Sequence, residues 1–163
     1  VGDIVSGVVY TSRDDSNALP GGGTYLIEAS GSDQVEGFSA RVEAPDAPEG
    51  VRVDEQLLTE TAEITIGPAA VALTWAASAS RGAGALFYLR IADIEGGDGA
   101  LQCAFDDDGE ATIPASTTRQ LSSGEVELSV HRLRRTELRS SGHRAVVEFD
   151  FAVSARVIFG SRE

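Results

Sequence analysis

The densest run of chemistry-bearing side chains is Asp106-Asp107-Asp108-Gly109-Glu110. Calcium takes about six to eight oxygen ligands, and carboxylates crowded on one loop can supply them. Asp106, Asp108 and Glu110 are the candidate ligands, with Asp98, Asp14 and Asp15 as acidic residues that a fold could bring near. The spacing departs from an EF-hand loop, because Ala111 stands where that loop needs its glycine. The competing reading is a hairpin in which Asp108-Gly109 supplies the positive φ angles of a tight turn. That reading is the one expected, and with it no cofactor.

His131 and His143 are the only histidines. Serine and acidic residues are abundant, so chance Ser, His and acid partners are easy to find. No Gly-x-Ser-x-Gly elbow accompanies them, and two histidines offer too few ligands for a metal site. Both are expected to be solvated, His131 on the polar face of a strand and His143 on a Ser-Ser-Gly-His turn. Gly21-Gly22-Gly23 lacks the Lys and Ser/Thr of a phosphate loop and reads as a flexible connection. Cys103 is the single cysteine, which excludes an internal disulfide and a Cys-based zinc site. It lies between Leu101 and Phe105 on one face of an apolar strand, where a buried, inert thiol is expected. No enzyme is expected on these grounds.

Charge separates unevenly along the chain. Residues 131–144 hold five of the 13 arginines against Glu137 alone, a net +4; the formal total is −13, so the remainder carries −17. Separated opposite charges favour head-to-tail contact between copies, or docking of an anionic glycan or lipid headgroup. Arg132, Arg134, Arg135 and Arg139 are the candidate contact residues. The alternative is a solvated hairpin tip whose arginines pair locally with Glu125, Glu127 and Glu137. The acidic whole repels phosphate backbones, so nucleic acid is not an expected partner.

The elements that must position these residues are strands. Tyr25, Ile27 and Ala29 alternate, as do Phe38, Ala40, Val42 and Ala44, and then Pro45-Asp46-Ala47-Pro48-Glu49-Gly50 interrupts. Val71, Leu73 and Trp75 follow, then Phe87, Leu89 and Ile91, then Leu101, Cys103 and Phe105, then Ala111 and Ile113. Val126, Leu128 and Val130 lead to the longest run, from Val147 to Phe159. Pro114 is positioned to open one short helical turn. One apolar and one wet face per strand is the pattern of stacked antiparallel sheets. The expectation is an all-β, Ig-like or jelly-roll-like two-sheet sandwich of about nine strands, with Trp75 in the core. Residues 1–163 are expected to form one composite domain, with a two-domain split at residues 45–50 as the alternative.

No apolar run reaches the ~20 residues that cross a bilayer. The chain begins at Val1, not Met, which reads as removal of an export signal. Its first strand, Asp3-Ile4-Val5-Ser6-Gly7-Val8-Val9-Tyr10, places Ile4, Val8 and Tyr10 on one side. A strand tethered by a glycine-rich loop could pair at home or add to the sheet edge of a neighbouring copy.

Leu101-Gln102-Cys103-Ala104-Phe105, Ala111-Thr112-Ile113-Pro114-Ala115, Leu121, Gly124 and the strand to Val130 carry a resemblance. So do Leu73-Thr74-Trp75 and Gly37-Phe38-Ser39-Ala40. Over most of residues 24–159 the chain resembles uncharacterised secreted, often lipid-anchored β-sandwich proteins of high-GC Gram-negative bacteria. The resemblance implies a secreted, periplasmic or outer-surface location and supplies no catalytic residue. Family members typically carry a lipidated N-terminal cysteine and a Gly/Ser spacer, and neither is present here. The expected role is therefore a non-catalytic cell-surface structural or interaction protein, with self-assembly through the N-terminal strand and an ordinary first strand paired at home both left open. The alternative is a carbohydrate-binding sandwich, calcium-assisted or not, which would need exposed aromatic platforms.

Overall fold

Alternating apolar residues become strands because every second side chain can then leave water together. The computed structural model describes residues 19–31, 36–60, 64–78, 85–94, 100–121, 124–140 and 143–160. Among them the chain forms β1 (Thr24–Gly31), β2 (Glu36–Glu43), β3 (Arg52–Val53), β4 (Gln56–Leu57), β5 (Ile64–Ile66) and β6 (Val71–Thr74). β7 (Ala85–Asp93), β8 (Ala100–Phe105), β9 (Glu110–Ile113), helix α1 (Ala115–Thr118), β10 (Gly124–Ser140) and β11 (His143–Phe159) complete the order. Among the described residues the structure is all-β apart from α1, whose single turn follows Pro114. No described helix is long and apolar enough to cross a membrane.

Three sheets result: a β1-β2 hairpin, a five-stranded sheet in the order β5-β11-β10-β7-β8, and a four-stranded sheet in the order β4-β3-β6-β9. One apolar cluster draws on both larger sheets, with Val53, Val71, Leu73 and Ile113 from one and Phe87, Leu89, Leu128, Val130 and Val157 from the other. Trp75 belongs to it and stacks on Phe87 at 4.0 Å between ring centroids. Thr118 fastens α1 to this core by donating to the Pro68 and Ala69 carbonyls at 3.1 and 2.9 Å.

The β10–β11 hairpin dominates the molecule. Its 17-residue strands pair from Gly124↔Phe159 to Ser140↔His143, a length of about 55 Å. β7 covers β10 only from Val126 to Arg134, so the hairpin continues beyond the core sheet by roughly 20 Å. The inner face of that extension is covered by β1-β2. Tyr25, Ile27, Val42 and Ala44 pack there with Leu138, Val147, Phe149 and Phe151.

Three features differ from the sequence expectation. The described strands number eleven in three sheets, not nine in two. β5 runs parallel to β11, with Ile64 opposite Val157, so the large sheet is mixed. Finally, Asp108-Gly109 does not close a hairpin. β8 belongs to the five-stranded sheet and β9 to the four-stranded one, so residues 106–109 carry the chain across from sheet to sheet. Gly109 adopts φ +105° there, a conformation that favours glycine, and a Cβ on it would stand a tight 3.2 Å from the Trp75 carbonyl oxygen.

Candidate functional site

Arg132 lies where the two apolar clusters meet. It was expected as a surface contact and is instead 1% exposed. The reason is parity: it continues the inward series Val126, Leu128, Val130 on β10. A buried guanidinium must satisfy its charge and its donors, and the surroundings do so. One terminal nitrogen donates to Asp107 Oδ1 and to the Ala76 carbonyl, both at 2.8 Å. The other donates to the carbonyls of Asp46 and Ala47 at 3.3 and 3.1 Å. Nε stands 2.8 Å from Asp107 Oδ2, a charge contact outside hydrogen-bond geometry. The group also lies 5.4 Å from the Phe87 ring centroid. Asp107 Oδ1 additionally accepts from the Trp75 indole at 2.8 Å. One ion pair thus ties β10, the 106–109 crossing, the end of β6 and the segment between β2 and β3.

The other arginines divide. Arg134 is half-buried and faces Glu43 at 3.5 Å. Arg135 and Arg139 are exposed. Arg144 pairs with Glu137, one of the local pairings read from the sequence, whereas Glu125 lies 3.8 Å from Arg156, outside the 131–144 stretch. Ile4, Val8 and Tyr10 lie outside the described residues.

Asp106, Asp108 and Glu110 are exposed, and Asp108 accepts only a long 3.4 Å contact from the Glu110 amide. Asp107, between them, is committed to Arg132 and Trp75. No group of three or more His, Cys, Asp or Glu side chains among the described residues is placed to hold a metal. Asp14, Asp15 and Asp98 lie outside the described residues. Calcium is therefore expected to leave Tm unchanged. A ligand at 100 times its Kd would add ~2.7 kcal/mol, so a calorimetric scan with calcium and then with EDTA checks this directly.

The outer face of the five-stranded sheet holds a cluster that motif reading missed. Ser129 and His131 sit two apart on β10 and so share that face, and Asp150 projects from β11 beside them. His131 Nε2 is 2.9 Å from Ser129 Oγ, and Nδ1 is 3.0 Å from Asp150 Oδ1. Tyr88, from β7, donates to Asp150 Oδ2 at 2.9 Å and stacks on the imidazole at 4.4 Å between centroids. His131 is thus a partnered, half-buried side chain and not a solvated one. Only its main chain is described for His143, which begins β11 and pairs with Ser140. The sequence signal for the cluster was the shared parity of Ser129 and His131. Asp150 could be added only with the β10–β11 register, in which His131 stands opposite Ala152 and Leu133 opposite Asp150.

Burial, then the hydrogen bond and charge of Asp150, push the Tyr88 phenol up to about 12, with Glu148 adding and Arg90 opposing. The fold favours the neutral phenol. Its contribution is fully present below the unfolded value near 10 and is lost as pH rises from there through about 12. Subtracting the tyrosinate absorbance titration of Tyr88→Phe from that of the wild type should give one transition near pH 12. A transition near pH 10 would mean that Asp150 does not hold the phenol. Cys103 is partly buried against the core, and desolvation raises its thiol pKa, which makes it a poor thiolate at neutral pH.

No protein-family model, curated protein or solved structure matches this chain.

Proposed function

We propose that the chain is a cell-surface β-sandwich module that joins copies of itself by β-strand addition, residues 3–10 of one copy pairing along the outer edge of β11 in the next. The observation that carries this reading is that edge. β5 pairs with β11 only from Val157 to Phe159. Among the described strands none pairs with the side of residues 143–156 that faces away from β10. An unpaired row of N–H and C=O groups of that length is a template for another extended chain. Residues 3–10 carry Ile4, Val5, Val8, Val9 and Tyr10, apolar enough to add as a strand, and the exposed Arg135 and Arg139 on β10, one strand in from that edge, suit a neighbour whose remaining surface is acidic. The sandwich would be made of the five-stranded sheet on one side and the four-stranded sheet with the β1-β2 hairpin on the other. This role needs no reacting group. Carbohydrate binding has no comparable support, since Trp75 is buried.

Light scattering of the full chain at low salt tests the proposal, compared with a deletion of residues 1–12 and with Arg135→Glu/Arg139→Glu. Self-association in the wild type is expected to be abolished by the deletion, and weakened by both charge reversal and salt. A wild type that is monomeric at high concentration and low salt overturns the proposal and leaves the first strand paired at home.

A further inference from the structure

We propose that Ser129 is an activated nucleophile, and that the outer face of the five-stranded sheet carries a slow acyl-transfer site for small, activated esters. The hydrogen-bond order supports a directed relay. The Asp150 carboxylate can only accept, and it receives the Tyr88 hydroxyl on Oδ2, which leaves Oδ1 for the Nδ1–H of His131 at 3.0 Å. That tautomer presents a lone pair on Nε2 to the Ser129 hydroxyl at 2.9 Å. Tyr88 holds both ends, stacking on the imidazole and anchoring the carboxylate. A nucleophile, a base and an orienting acid at these separations satisfy the geometric test for a serine nucleophile, whatever the fold.

In the step itself, Ser129 Oγ attacks the ester carbonyl carbon while its proton passes to His131 Nε2, and the carbonyl π pair moves onto oxygen. The tetrahedral species re-forms C=O and expels the alkoxide or phenoxide, which takes the proton from Nε2. Water then repeats the sequence on the acyl-serine, releasing the carboxylic acid and restoring the hydroxyl.

Two observations set the substrate class and the speed. Ser129 is 6% exposed, which admits only a small acyl group. Its strand is paired on both sides, with β7 and with β11, so the surrounding main-chain amides are committed to the ladder and form no oxyanion hole. The cation available at that register is Arg90, directly across from Ser129 and exposed. Without preorganised amides, loss of transition-state stabilisation on the order of 10²–10³-fold is expected, so only esters with good leaving groups should react measurably.

The test treats the purified full chain with a fluorophosphonate probe and, separately, with p-nitrophenyl acetate, and locates adducts by peptide mass spectrometry. One dominant adduct is expected at Ser129, absent in Ser129→Ala. Labelling should fall about a hundredfold in His131→Gln and also fall in Asp150→Asn, with melting curves confirming that each variant is folded. Tyr88→Phe should reduce labelling less, since it removes one of the two anchors of Asp150. Absence of an adduct at Ser129, or labelling at equal rates in the wild type and a folded His131→Gln or Asp150→Asn, overturns the proposal and makes the cluster a structural hydrogen-bond chain.

Discussion

Asp107→Ala is expected to destabilise the fold by about 3–5 kcal/mol, because it strands a buried guanidinium without its counter-charge. Arg132 would keep its carbonyl acceptors at Asp46, Ala47 and Ala76, but those neutralise no charge. The Trp75 indole would lose its acceptor as well. Burial explains why the loss is large: the same pair on the surface would contribute ~1 kcal/mol or less. The double replacement Asp107→Leu/Arg132→Met should cost less than either single change, since it removes both desolvated charges together. Urea unfolding of the two single variants and the double, read as a thermodynamic cycle, checks this. A double variant as unstable as the sum of the singles would mean that the two residues act independently.

Trp75→Ala should cost ~3–5 kcal/mol through the cavity it leaves against Phe87 and Phe105. Trp75→Phe separates packing from hydrogen bonding. It preserves a ring against Phe87 and removes the indole N–H, while Asp107 retains Arg132 as its main partner. Its expected cost is therefore only ~1 kcal/mol above the volume lost. Trp75 is the only tryptophan, so unfolding must be followed by circular dichroism. Near-wild-type stability of Trp75→Ala would place the ring at the surface and revive a sugar-platform reading.

Where the apolar alternation was strict, the strands were legible. Val71 and Leu73 define β6, Phe87, Leu89 and Ile91 define β7, and Leu101, Cys103 and Phe105 define β8. Strands β3 and β4 were not legible, being two residues each around Asp54 and Glu55. Both of those turn residues adopt positive φ, at 46° and 70°, without the glycine that usually signals such a turn. The arginine-rich stretch reads as a surface feature, contact patch or solvated tip, because its charge hides its parity. Arg132 falls on the inward series of β10, and Asp107 continues the series Leu101, Cys103, Phe105. Two opposite charges on inward positions are the trace that a buried pair leaves in a sequence. The sheet assignment of β8 and β9 was beyond reach, since a short acidic loop with glycine suits a hairpin and a crossing equally. The Ser129–His131–Asp150 cluster depends on cross-strand register, which no local pattern encodes.

Amide hydrogen exchange along β11 tests strand addition at its outer edge most directly. Main-chain amides alternate between the two sides of a strand, so about half of those in residues 143–156 point away from β10. At concentrations where copies associate, these outward amides should gain protection, and deletion of residues 1–12 should remove it while the β10-facing amides stay protected. Outward amides that exchange at one rate at every concentration, identically in the full chain and the deletion, would contradict strand addition at this edge.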